Sequence, residues 1–334
     1  MWEDNQKTLK NVATFRGIGL HSGVETRVDL EPAESDSGII FKRTDVKKNN
    51  SIKANFENVS SAKLCTKIEN KFGASVSTIE HLMAAFYICG IDNLIVKVDG
   101  PEIPIMDGSA DEFVKIINNA GNKILDKKRK FLKIYKKIEL KEENKSISIE
   151  PSEDSFKVKF SLSYNNPIIK NQTNEVNFQK NDLKEIYSAR TFCLFEDIEK
   201  VKKMGLAKGG SLDNAIVVKG DKILNKNGLR SDKEFVNHKI LDLAGDFLLP
   251  RISPNISDNF FDPNDDRLGG YLTYLNDIKS IGSETLVFPC HDWPFKKGEE
   301  RADDLINHHH NRLNILKNEM ETKKINIMNS IDLI

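Results

Sequence analysis

The chain of 334 residues has no excess of charge of either sign: 50 lysines and arginines balance 50 aspartates and glutamates. Without an overall positive field there is no electrostatic argument for a nucleic-acid partner. The basic residues are interleaved with acidic ones, the pattern of a solvated surface. Cysteine is scarce. Cys65, Cys89, Cys193 and Cys290 form no C-x-x-C pair, which removes a thiolate metal site and a dithiol redox motif and suits a reduced protein. Long apolar runs are missing too. The longest apolar stretch, Leu82 to Val98, is broken by Gly90, Asp92 and Asn93, so no membrane-spanning helix is expected. The opening MWEDNQKTLK lacks the apolar segment of a secretory signal. The expectation is a cytoplasmic protein that reaches any lipid from the aqueous side. No short-period repeat or low-complexity tract is present.

What is there reads as an α+β protein. Residues 11–30 alternate as strands around a glycine-rich turn, Gly17 to Gly23. Residues 78–89 predict a helix with Ile79, Leu82, Met83 and Phe86 on one stripe and Gly90 as its stop. Leu94 to Val98 reads as a buried strand ended by Gly100-Pro101. Ser109 to Glu112 matches a capping box opening a second helix, which Gly121 ends. The segment 122–130 is charged and has no apolar face, and a domain boundary is placed there. The second half repeats the logic: strands at Ser146–Glu150 and Phe156–Ser163, helices at Asp182–Tyr187 and Asp197–Lys203, and a strand at Asn214–Val218. Another capping box, Ser231 to Glu234, opens a helix running to about Phe247. Two domains, 1–125 and 126–249, each a small sheet packed with helices, make a two-domain sandwich. Residues 250–334 form a third segment foreign to it.

Two local signals carry chemistry. His238 and Asp242 stand four apart on a predicted helix, one turn apart on one face, where an imidazole and a carboxylate can share a metal ion. Glu80 and His81 are adjacent on another predicted helix, where neighbours diverge by ~100°. One can therefore bind a metal while the other reaches a water beside it. Each pair alone also describes an ordinary surface pair. Together, His81, His238 and Asp242 would supply three ligands and leave a fourth position open, with Glu80 as general base, a constellation that hydrolyses amides or esters.

The stretches Gly17–Gly23 (GIGLHSG), Ser75–His81 (SVSTIEH), Gly90–Val96 (GIDNLIV), Pro101–Ala110 (PEIPIMDGSA), Ser188–Phe192 (SARTF), Gly205–Val218 (GLAKGGSLDNAIVV), Asn227–Arg230 (NGLR) and Glu234–Asp246 (EFVNHKILDLAGD) resemble the UDP-3-O-acyl-N-acetylglucosamine deacetylase family of lipid A biosynthesis, in order and spacing, over about three quarters of the chain. The resemblance implies one Zn2+ per chain on His81, His238 and Asp242, with Glu80 as base. It implies that Thr191 hydrogen-bonds the oxyanion and that Lys239 helps hold developing negative charge. Asp246 is counted with these catalytic residues. Phe192 would pack on the sugar, Lys145 would approach the nucleotide, and His21 would sit near the phosphates or sugar. Ile198, Ala207, Gly210 and Ser211 would line an acyl-chain passage. Outside the resemblance, Thr191 and Phe192 read as a strand end, Gly210 as a turn and Lys145 as a solvated side chain. Asp107 would serve either as a partner of a ligand or as a turn residue. The implied partner is a small sugar nucleotide bearing an acyl chain.

The likeness stops near residue 249. The family continues with a segment whose histidine protonates the leaving amine, but residues 247–290 contain no histidine. Loss of a general acid costs ~10²–10⁴-fold in rate, so impaired turnover is expected. Gly245-Asp246, Pro250–Ser257 (PRISPNIS) and Leu286–Phe295 (LVFPCHDWPF) instead resemble the C-terminal part of metallo-β-lactamase-fold hydrolases, with Asp246 and His291 at that family's ligand positions. Its H-x-H-x-D-H motif is absent. A hybrid joined at 245–249 is the expectation. His308, His309 and His310 read as a solvated face. The alternatives are a catalytically dead zinc- and sugar-nucleotide-binding protein and a metallo-β-lactamase-fold thioester or ester hydrolase.

Overall fold

The computed structural model describes residues 5–249 apart from 131–133, 135, 143–144 and 153–155. The segment 250–334, with His291 and the three consecutive histidines, lies outside the described residues. In chain order come β1 (Asn5–Leu9), β2 (Ala13–Ile18), β3 (Glu25–Pro32), β4 (Ile39–Arg43), β5 (Ser51–Lys53), a 3-10 turn (Phe56–Asn58), β6 (Val59–Ser61), β7 (Lys67–Glu69), β8 (Ser75–Val76), α1 (Glu80–Cys89), β9 (Leu94–Val98), α2 (Asp111–Ala120) and β10 (Asn122–Lys128). The hairpin β11 (Ile138–Glu142) and β12 (Lys145–Ile149) belongs to a separate compact unit. The main unit resumes with β13 (Lys157–Ser163), β14 (Asn171–Asn177), α3 (Lys184–Tyr187), β15 (Phe192–Leu194), α4 (Phe195–Lys203), β16 (Ile216–Lys219), β17 (Lys222–Ile223) and α5 (Glu234–Phe247).

A five-stranded sheet, ordered β2-β3-β9-β4-β5, forms one side of the main unit. Period-two alternation turns Leu94, Val96 and Val98 of β9 inward beside Val28 and Leu30 of β3 and Phe41 of β4. This face, α1, α2, the inner residues Val158 and Val176 of the β13–β14 hairpin, and Ile240, Leu241 and Ala244 of α5 share one hydrophobic core. A smaller cluster joins Ile216 and Val218 of β16 to Phe235 and Val236 of α5. The α+β expectation holds, with the helices between small sheets.

The expected stripe on α1 is wider than predicted. Every residue from Glu80 to Phe86 is buried, because a helix covered on all sides has no solvent face. Gly90 ends it in the left-handed region at φ 70°, and its N–H bonds the carbonyls of Phe86 and Tyr87. The segment read as a charged connection is strand β10, antiparallel to β1. Only Leu125 on it is buried, so it carries no apolar face to read. Neither expected capping box forms. At α2 the Ser109 hydroxyl accepts from Asp111 N but also bonds Asp107, and the N-cap position is Ala110. At α5 the N-cap position is Lys233, and Glu234 turns inward to an arginine.

One glycine sets how closely α1 and α5 approach. A Cβ on Gly245 would collide with the backbone carbonyl of Glu80 and press on the Ala84 amide. Gly245→Ala is therefore expected to force the helices apart at the site described next and to destabilise the unit by ~1–3 kcal/mol. Thermal unfolding checks this, at ~2–4 °C per kcal/mol for a chain of this size. An unchanged midpoint would mean that the two helices are not clamped there.

Candidate functional site

Glu80 and His81 open α1, while His238 and Asp242 lie one turn apart on α5. The close helix contact at Gly245 brings the two pairs together. The Nε2 atoms of His81 and His238 each lie 3.4 Å from Oδ1 of Asp242, and one ligand atom from each of the three residues falls within 4.8 Å of the others. The two imidazoles meet edge to face, with centroids 4.9 Å apart.

The chemistry of the trio suits a cation. His238 Nδ1 lies 3.0 Å from the carbonyl oxygen of Ala189, so that nitrogen carries the proton it donates. Burial pushes the ring pKa down to about 3, leaving Nε2 a bare acceptor that faces a carboxylate oxygen. Burial works against a charged His81 as well, but there Asp242 outweighs it and the pKa is raised. Asp242 Oδ1 and His81 Nδ1 are buried without a hydrogen-bond partner. Burial alone would raise the Asp242 pKa, but His238 and Lys239 hold it far below the usual carboxylate range. Four ligands at bonds of ~2.0–2.1 Å around a tetrahedral ion sit roughly 3.3–3.4 Å apart. The two histidine–aspartate distances match that spacing, so these side chains fit a metal ion.

Around the trio stand further groups. Burial pushes the Glu80 carboxyl up to about 7. Lys239 Nζ lies 2.9 Å from Asp242 Oδ2 and 5.6 Å from the centre of the Phe192 ring. The charge of Asp242 raises its pKa. Phe192 packs edge-on against Phe235, and its ring centre is 6.4 Å from that of His238. Thr191 immediately precedes β15, held by its N–H to the Gly108 carbonyl and by its own carbonyl accepting from Ile216 N. Asp246, on the last turn of α5 and exposed, accepts from the Thr66 hydroxyl.

The other expected site residues stand on other elements. His21 is buried in the turn between β2 and β3, with Nδ1 3.4 Å from Ala207 N and Nε2 unpartnered. Gly210 bonds the Ala207 carbonyl, while Ser211 donates its N–H to Asn214 Oδ1. Ile198 is half-buried on α4, a helix with no fully buried residue. Lys145 is exposed on β12 of the other unit. Asp107 bonds Ser109 and Arg230 rather than a metal ligand.

Three features escaped sequence reasoning. Glu102, almost fully buried, accepts from the N–H groups of His21 and Ser22 and from the Thr78 hydroxyl, tying the His21 turn to the start of α1. Arg190 and Glu234 form a buried ion pair at 2.8 Å that fixes the SARTF segment against α5. Thr66 donates its N–H to Glu80. No spacing rule links these partners, because they come from segments brought together only by folding.

Fold and trio define an α+β protein with a candidate single-metal centre beside a buried carboxylate, and among the described residues no helix is long and apolar enough to cross a membrane. Comparison with known proteins narrows this to one family. The family model described as "LpxC: UDP-3-O-acyl N-acetylglycosamine deacetylase" matches residues 6–256. A UDP-3-O-acyl-N-acetylglucosamine deacetylase of Geotalea uraniireducens is 47% identical over 245 residues, 73% of this chain and 79% of the relative. Similarly named proteins of Phenylobacterium zucineum and Myxococcus xanthus are 42% and 44% identical over 246 residues, 73% of this chain and 84% and 78% of theirs. The chain belongs to the UDP-3-O-acyl-N-acetylglucosamine deacetylase family. The comparisons lend no support to a second family for residues 250–334.

Proposed function

We propose that this protein removes the N-acetyl group of UDP-3-O-acyl-N-acetylglucosamine in lipid A biosynthesis, with one zinc ion per chain held by His81, His238 and Asp242. The observation that carries this reading is the meeting of those three side chains from α1 and α5, with Glu80 beside them. Zinc in that site supplies Lewis acidity, which polarises an amide carbonyl and makes water nucleophilic near neutral pH. Glu80 takes the proton from the attacking water. A carboxyl raised to about 7 by burial exchanges protons readily near neutrality. Thr191 and Lys239 face developing negative charge, the lysine staying protonated beside Asp242. Phe192 gives the sugar an apolar wall. His21, with its free buried Nε2, offers a hydrogen bond toward the sugar or phosphates. Ile198, Ala207, Gly210 and Ser211 border the acyl chain, and Asp246 supports the catalytic groups.

The leaving amine needs a proton. Glu80, having taken one from water, is the described group placed to return it. Acetate release from UDP-3-O-acyl-N-acetylglucosamine tests the reading. Activity is expected to vanish with a chelator and return with zinc. Its rate is expected to fall ~10²–10⁴-fold below that of the named relatives, because 247–290 holds no histidine. No acetate release from zinc-loaded protein refutes the function, and relative-like turnover refutes the deficit.

A further inference from the structure

We propose that Thr66 is a positioning residue for this reaction, its hydroxyl anchoring the backbone amide that aims the Glu80 carboxylate. The inference rests on the reading of Glu80 as general base. Thr66 is 6% exposed and touches both helices of the site. Its N–H donates to Glu80 Oε2 at 3.0 Å, and its hydroxyl donates to Asp246 Oδ1 at 2.8 Å. Its carbonyl accepts from Ile79 N at 3.3 Å.

A carboxylate that works as a base must present one oxygen in a set direction. Pinning Oε2 orients the plane of the group and leaves Oε1 for the proton. The pin is a backbone amide, so its aim depends on how firmly residue 66 is held. Upstream, Cys65 is half-buried beside Thr78, but Ala62, Lys63 and Leu64 are exposed, and Leu64 sits at φ 65°, where a branched side chain is strained. Downstream, Ile68 buries β7 in the core. Between them, the hydroxyl bond to α5 is the shortest tie on Thr66. It joins the base on α1 to α5 one residue from Gly245, whose backbone packs tightly on the Glu80 carbonyl. Thr66 thus acts as a strut that transmits the helix spacing to the Glu80 carboxylate.

Thr66→Val keeps the shape and deletes the donor, while Thr66→Ser keeps the donor. With zinc content and unfolding midpoint matched to the parent chain, Thr66→Val is expected to lower kcat ~10–100-fold, the scale of losing one charge-assisted hydrogen bond that orients a reacting group. KM should stay within about twofold, and Thr66→Ser should recover most of kcat. Thr66→Ala, which adds no bulk beside Asp246, must follow the valine variant and serves in its place if that variant fails to fold. Parent-like kcat in Thr66→Val or Thr66→Ala overturns the proposal. So does a serine variant no better than valine, or a loss that merely tracks zinc content. If the parent chain itself releases no acetate, the reading of the site fails and this inference falls with it.

Discussion

Replacing His81 by alanine is expected to strip the metal from the chain while leaving α1 in place. The ring meets His238 edge to face and turns Nε2 toward Asp242 Oδ1 at 3.4 Å, while Nδ1 is buried with no partner. Truncation therefore breaks no hydrogen bond inside the protein. It removes one of the three proposed protein ligands. Losing an outer partner of a ligand lowers metal affinity ~10–100-fold, so loss of a direct ligand must exceed that. Elemental analysis after gel filtration should find close to one zinc per parent chain and almost none in His81→Ala. His238→Ala should do the same and also lose stability, since it abandons the buried Ala189 carbonyl. Full zinc retention in both variants would show that the trio is not the metal centre.

The second large effect is expected from Glu80→Gln. The amide has nearly the same shape and still offers an oxygen to the Thr66 N–H, so the packing of α1 is preserved. What it cannot do is accept and return a proton. Zinc content should match the parent, KM should move little, and kcat should fall ~10²–10⁴-fold. A split of this kind, binding intact and turnover gone, separates a base from a residue that merely holds the fold. A glutamine variant within a few-fold of the parent would remove Glu80 from the chemistry. The contrast with Thr66→Val is informative: the strut should cost less than the base it aims, because a misdirected carboxylate still transfers protons.

The two experiments also mark what could be read before folding. The i, i+4 spacing of His238 and Asp242 needs only helical geometry, and that pair is where the spacing places it. The stop at Gly90 needs only a residue free to take a positive φ, and it too is where the letters place it. Elsewhere local rules misled. Ser231 to Glu234 has the letters of a capping box, yet Glu234 is captured by Arg190 and by Arg230 N, because a buried guanidinium outbids a solvated cap for a carboxylate. Strand β10 escaped because six of its seven residues are exposed, five of them charged or polar, and its pairing with β1 is a backbone ladder that no side-chain period announces.

By itself, then, the sequence determined the helices that carry the chemistry, the face shared by His238 and Asp242, and the family to which the chain belongs, since those rest on local periodicity and on an ordered run of motifs. Only the tertiary structure decided that His81 reaches that face, that Thr66 and Glu102 hold the surrounding groups, and how near α1 comes to α5. Those depend on contacts between segments from 14 to 180 residues apart, which meet only when the chain folds. A single missing Cβ at Gly245 sets that distance, which no local pattern encodes.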